Sequence, residues 1–521
     1  MDSLIQRFAG LVKGVISGFD RIVLKGSILS LSYAEGVTDF CRRRGILNKD
    51  YKSWMMEQSS ALVEQVQSYA LRESGHRITP IASLHTSKED LARERQRVMG
   101  IEKGLVGVWS CLESGASFKA HFCATTGFPQ LRYHRTHCKH LYLYFDHPRF
   151  GFMNIRMQTW FPYHIQICMN GREWLRRSLE NEHVGFEVHG NKFLHLADFQ
   201  CAQRLLDRQL DTRWPELLGR FLPVAFPTMQ DTLGAHFSYY WTLWQSEWAT
   251  DLLFSRPQDL EPLIDSLLRH ALMTGTSERV LRYLGRHVTA QGEPRHNFRG
   301  QVTSRSTAFH EGVRVRHWVD HNSVKVYNEQ NVLRLETTIN DPKAFRVHRR
   351  ARNDPPDAPK KLRPLRKGIA DIPLRAQLSD DTNKRFAQHL ATFSDDTPVS
   401  QFFADLTRAH TRDSRRVRAL VPIGKDYDLL HAIADPCFTV SGMTNAKLRQ
   451  SLRAMPWAAR RTDKQLSARL SRHLRLLRDH GLIRKVPNRR SYMLTTKGQQ
   501  TTAALHAVLA SSTQKLMEIA A

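Results

Sequence analysis

Apolar and polar positions follow two periods along this chain, and the switches between them outline its elements. Residues 1–110 read mostly as helix with short strands; over 51–75, YKSWMMEQSSALVEQVQSYALRESG, apolar residues return at helical spacing until Gly75 stops the run. Segment 104–123, GLVGVWSCLESGASFKAHFC, reads as two strands around a small-residue turn. HLYLYF (140–145), FMNIRMQTW (152–160) and YHIQICM (163–169) alternate with period two and predict a meander, closed by Asn170 and Gly171. Helices are predicted at 172–180, from Asp198 as N-cap over 199–210, over the aromatic-dense 236–254, and over 259–273. VRVRHWV, SVKVYN and VLRLETTI return the pattern to strands across 313–339.

The last hundred residues carry the clearest periodicity. Thr462 and Gln465 have the spacing of a capping box, so a helix should start there. Leu466, Leu470, Leu474 and Leu477 share one stripe, while Ser467, Ser471, Arg472, Arg475 and Arg478 occupy the opposite face. Gly481 is placed to end the helix. LIRKV and SYMLT then read as two strands joined by a basic turn, Pro487 to Arg490. Helices at 426–435 and 441–452 precede this unit. Helix, glycine stop, strand, basic turn, strand is the order of a winged helix, whose exposed helix face and wing reach bases and phosphates. The stretch resembles the winged-helix domains of MarR-type regulators, particularly in HGLIRK and LTTKG. That resemblance implies duplex-DNA binding by Ser467, Ser471, Arg472, Arg475, Arg478, Arg484, Lys485, Arg489 and Arg490.

Charge narrows the class of partner. Lysine and arginine number 77 against 50 acids, a net charge of +27, which points to a polyanion and first to nucleic acid. At 521 residues the chain has room for about three domains. It shows no membrane span, no signal peptide and no phosphate-binding GxxxxGK[ST] loop. Seven thinly spread cysteines suit a reducing cytoplasm rather than a disulfide framework. Pro355, Pro356, Pro359 and Pro364 among many lysines and arginines mark 343–378 as a basic, extended linker. The expected domains are an α+β body over 1–342 with a sub-boundary near 220–255, that linker, a helical connector over 379–420, and the winged helix over 421–521.

Candidate chemistry in the body is sparser. GFDRIVLKG (18–26), QTWFPYHIQICMNGREWL (158–175), YYWTLWQSEWATD (239–251) and SVKVYNEQNVLRLETTINDP (323–342) resemble a bacterial family of uncharacterised proteins that recurs in multiple genomic copies. Such recurrence implies a mobile genetic element. His164-Ile165-Gln166 resembles the His-hydrophobe-Gln variant of the metal motif in rolling-circle replication initiators, with Tyr239 and Tyr240 following in the order of a nucleophile. The spacing of Lys325 and Tyr327, then Arg334 and Glu336, looks like an arrangement in plasmid replication initiators. These likenesses imply a tyrosine nickase. His164, Gln166 and Glu336 would hold Mg²⁺ or Mn²⁺, and Lys325 and Arg334 would hold phosphate.

His134, His137, Cys138, His140 and His147, with Cys111 and Cys123, are zinc-ligand types without a tight knuckle spacing. Trp160, Tyr163, Tyr239, Tyr240, Trp241 and Trp244 supply ring types that stack on RNA or single-stranded bases. The leading expectation is therefore a cytoplasmic α+β protein: a mixed helical and antiparallel-sheet body with a C-terminal winged helix, binding duplex DNA and forming a homodimer. The alternatives are the nickase and an RNA-binding component of a ribonucleoprotein.

Overall fold

The computed structural model describes residues 1–82, 85–286, 298, 300–309, 312–351, 353–355, 357–392, 403–412, 414–435, 438, 442–486 and 490–510. The chain mixes helices and strands and divides into two compact units, each built from separated stretches. One comprises Lys13–Ser255 and Glu329–Asp380 and is here the sheet unit. The other comprises Met1–Val12, Arg256–Asn328 and Asp381–Ala521 and contains the C-terminal helices. No helix among the described residues is long and apolar enough to cross a membrane.

In chain order the first strands are β1 (Val12–Ser27), β2 (Thr79–Ile81), β3 (Gly104–Cys123), β4 (Phe128–His147), β5 (Gly151–Gln158), β6 (Ile165–Asn170), β7 (Phe186–His189) and β8 (Lys192–Leu196). They are followed by β9 (Tyr240–Phe254), β10 (Val302–Phe309), β11 (Gly312–Val319), β12 (Asn322–Glu329) and β13 (Val332–Ile339). The sheet unit orders its strands β13-β9-β1-β6-β5-β4-β3-β2, with β2 parallel to β3. β7 and β8 form a separate hairpin, and β10, β11 and β12 lie side by side in the other unit.

Alternation decides the two faces of the sheet. In β6, Ile165, Ile167 and Met169 are buried while Gln166, Cys168 and Asn170 are half-buried. Register carries this pattern across neighbouring strands, because side chains opposite one another share a face. Leu24, Ile167, Ile155, Leu143 and Val108 align across β1, β6, β5, β4 and β3, and all belong to the main core. One step along the strands, Lys25, Gln166, Arg156 and Tyr142 align on the opposite, polar face. The core face packs against helices that include Tyr51–Ser74, which ends on Gly75 with φ 70°, and Phe199–Asp207, capped by the Asp198 carboxylate.

Three expectations need correction. Segment 236–254 is not a helix: Tyr240–Phe254 is a strand, buried at Trp241 and Leu243 and exposed at Tyr240 and Trp244. Segment 104–123 is a single 20-residue strand rather than two, because β4 pairs with it along its whole length. Its small residues serve close approach instead of a turn: a Cβ on Gly115 would lie 2.9 Å from Oε1 of Gln158. Segment 343–378 is not an extended linker. It holds a hairpin, Arg346–Arg349 with Lys361–Pro364, and buries Phe345, Leu365 and Ile372, apolar anchors among the charges and prolines.

In the other unit, helices Tyr427–Ile433, Asn445–Leu452 and Asp463–Asp479 precede the paired strands Ile483–Lys485 and Tyr492–Leu494 and the helix Thr496–Ala510. Met443 bridges Tyr492 through two backbone hydrogen bonds, 2.7 and 2.8 Å. Leu448, Leu452, Leu466, Leu470, Leu474, Leu477 and Ile483 share one core there.

Candidate nucleic-acid interface

The helix Asp463–Asp479 is built as its sequence predicts. Thr462 accepts from the Gln465 backbone, and the Gln465 side chain accepts from the Thr462 backbone, completing the capping box. Gly481, at φ 73°, lets the chain leave the helix in a conformation that side chains resist. The leucine stripe is buried, so the opposite face must point outward. Arg472 and Arg475 are exposed there, and Arg484, Lys485 and Arg490 are exposed on or beside the strand pair. Among the described residues none of these five cations has a carboxylate partner.

Two predicted contact residues are committed elsewhere. The Ser467 hydroxyl donates to Oδ1 of Asn445 at 3.1 Å. The Asn445 amide donates to the Ser467 carbonyl at 2.9 Å and to the Ser471 hydroxyl at 3.0 Å, so both serines fasten neighbouring helices. Arg478 is half-buried and lies 3.9 Å from Asp479, which restrains its reach. Arg489 lies outside the described residues.

A second basic site lies on the polar face of the sheet unit. A pocket of about 330 Å³ is lined by Lys25, Arg135, Arg156, His140, His164, Gln158, Gln166 and Trp244, among others. Lys25 and Lys367 each place the ammonium 4.9 Å from the Trp244 ring centroid. Lys367 arrives from the expected linker, whose carbonyl accepts from the Leu243 backbone at 2.8 Å. Arg135 donates to the Ser114 carbonyl at 2.9 Å. Arg156 pairs with Glu113 at 2.5 Å, and Glu113 also accepts from Tyr142 at 2.5 Å. Gln158 is locked by donating to the Ala116 and Phe161 carbonyls, 2.8 and 3.0 Å.

The pocket's electrostatics favour an anion. Burial, then the Arg156 and Lys367 charges, push the Lys25 ammonium below its usual range. Burial, then Lys25, push His164 down to about 3, and burial, then Arg156, push His140 down to about 4. Both imidazoles are therefore neutral near pH 7. Nδ1 of His164 lies 3.1 Å from the Ser27 hydroxyl.

The nickase constellation does not assemble as predicted. His164 and Gln166 share the pocket, but Glu336 groups instead with Asp20 and Glu247, whose carboxylate oxygens lie within 4.8 Å of one another. Three carboxylates are a donor set that suits a hard divalent cation. Arg334 is no phosphate ligand: it is 1% exposed and forks onto Asp251 at 2.5 and 2.8 Å, with Asp20 at 3.3 Å. Arg172 adds a second guanidinium 3.1 Å from Asp251. Lys325 is buried beside the Tyr327 ring in the other unit. Tyr239 precedes a strand rather than sitting on a helix, and its hydroxyl donates to the Tyr163 carbonyl at 2.7 Å. Burial raises its pKa well above the ordinary tyrosine value, which opposes a nucleophilic role. Tyr240 remains exposed.

His134, His137, Cys138 and His140 are strung along β4. Among the described residues they form no three-ligand group. Of the six aromatics with stacking chemistry, only Tyr240 and Trp244 stay substantially open, at 47% and 44%. Sequence reasoning missed Lys25, Arg135, Arg156 and Lys367, which converge from β1, β4, β5 and a segment over two hundred residues later. It also missed Asp20, Arg172 and Asp251. The available signal was a charged residue inside otherwise apolar strand runs, as Asp20 and Lys25 stand in GFDRIVLKG. Comparison of the chain with protein-family models, with curated proteins and with solved structures finds no match.

Proposed function

We propose that this chain is a DNA-binding protein that engages duplex DNA through a winged helix over residues 421–521. The observation that carries this reading is the helix Asp463–Asp479. One stripe is four buried leucines, and the other offers Arg472 and Arg475, which have no acid partner among the described residues. The preceding helices Tyr427–Ile433 and Asn445–Leu452, the Met443 bridge and the strand pair beside the helix support it, because they occur in the order a winged helix requires. Arg472 and Arg475 are the base-reading candidates. Arg484, Lys485 and Arg490 supply phosphate contacts, while Ser467 and Ser471 hold the helices together. The mobile-element setting rests on the family resemblance alone, and a nickase would depend on Tyr240 rather than Tyr239.

The test is duplex binding by the full chain across a salt series. Neutralising about five phosphates gives a log–log slope near −4 to −5, and Arg490→Ala should flatten it by about one unit. Arg475→Ala should lower discrimination at one base pair by about 1–3 kcal/mol. No binding at about 50 mM salt, or a salt-independent interaction, overturns the reading.

A further inference from the structure

We propose that the pocket on the polar face of the sheet unit binds a nucleotide unit of single-stranded nucleic acid, with its phosphate on Lys25, Arg135 and Arg156 and its base on Trp244. This goes beyond duplex binding by the C-terminal helices and uses none of their residues.

Three observations carry it. First, the cations are built in and under-compensated. Among the described residues Lys25, Arg135 and Lys367 have no carboxylate partner, and Glu113 serves Arg156 and Lys88 together. Nε of Arg156 is buried without a hydrogen-bond partner. Burial first, and then the Arg156 and Lys367 charges, lower the Lys25 pKa, and a bound polyanion would offset that repulsion. Second, the aromatic beside these charges is accessible. Trp244 is flanked by two ammonium groups, and Tyr240 lies four residues earlier on β9, where period two puts it on the same face. A charged groove lined by open aromatic rings is the chemistry of single-strand binding, because every base has a stacking face. Duplex DNA hides those faces. Third, the dimensions fit one small unit: about 330 Å³ lies at the lower end of ligand pockets, about 300–1,000 Å³. His164 and Gln166 thus become polar lining of a phosphate pocket rather than metal ligands.

The experiment measures the full chain's affinity for fluorescent oligo(dT) of about twelve nucleotides and for a duplex of equal length, with thymidine monophosphate and inorganic phosphate as competitors. Lys25→Gln, Arg135→Gln and Trp244→Leu should each lower oligo(dT) affinity about tenfold. Trp244→Phe keeps a stacking ring and should retain most of the affinity, which separates lost stacking from lost folding. Arg472→Ala with Arg475→Ala should weaken the duplex complex and thereby report on the duplex reading separately. Oligo(dT) affinity unchanged by Lys25→Gln and Trp244→Leu overturns the proposal. So does competition by thymidine monophosphate or phosphate at the oligonucleotide's own concentration, which would mark the pocket as a site for a free small anion.

Discussion

Arg334 shows how burial changes the meaning of a charge. Its guanidinium is almost wholly enclosed, and it forks onto Asp251 while reaching Asp20. Burial alone would raise the Asp251 pKa, but Arg334 and Arg172 more than offset it and hold the carboxyl below its ordinary value. For Asp20 burial dominates, and its pKa is raised. Removing one member of such a set leaves uncompensated charge in a low-dielectric interior. Arg334→Met should cost about 3–5 kcal/mol in urea unfolding. Arg472→Ala, on an exposed helix face, should stay within about 0.5 kcal/mol of wild type. Equal effects would show that the buried cluster is not held by Arg334.

At the scale of elements, legibility followed local chemistry. The helix Asp463–Asp479 was readable because its cap, its leucine stripe and its stop lie within twenty residues of one another. Leu474→Ala should cost about 2–5 kcal/mol through a cavity. Thr462→Ala should cost about 0.5–2 kcal/mol through the lost cap. Both are measurable by denaturant unfolding, and the reverse ranking would contradict the packing described. β9 misled because Trp241, Trp244 and Trp248 recur at offsets of three and four, the spacing of a helix face. Only cross-strand neighbours decide between the two, as when β13 pairs Arg334 with Asp251. β3 misled because small residues that admit Gln158 look like a turn in a single sequence.

For the whole molecule, buried imidazoles set an acid limit in each unit separately. In the sheet unit His164 is pushed down to about 3, by burial first and then by Lys25. In the other unit His317 is pushed down to about 4 by burial and lies 2.7 Å from the Ser304 hydroxyl. An unfolded imidazole titrates near about 6.5, so below that pH the unfolded chain takes up protons that the folded one refuses. The stability from these groups is complete above about 6.5 and is lost as pH falls toward the folded values. The thermal midpoint should therefore drop between pH 7 and pH 5, and His164→Gln should shrink the drop. The depressed Asp251 acts lower, since its contribution is present above the ordinary carboxylate range and is lost only as pH falls through its folded value. A midpoint that is flat from pH 7 to pH 5 would contradict the buried neutral histidines.

The sequence alone determined what depends on composition and near neighbours: the net charge of +27, the mix of helices and strands, the capped helix near the C-terminus and the strand that carries Gln166, which starts just after His164. Those properties are written within a few residues, where helix caps and strand alternation act. Tertiary structure decided which charges are available. It buried Arg334 and Glu336, committed Tyr239, Ser467 and Ser471 to internal hydrogen bonds, and folded 343–378 against β9 so that Lys367 reaches Trp244. Register across strands far apart in the chain, and the desolvation that follows from it, settle whether a charged side chain becomes a structural pair or a binding group. Neither quantity can be read from a charge's immediate neighbours in sequence.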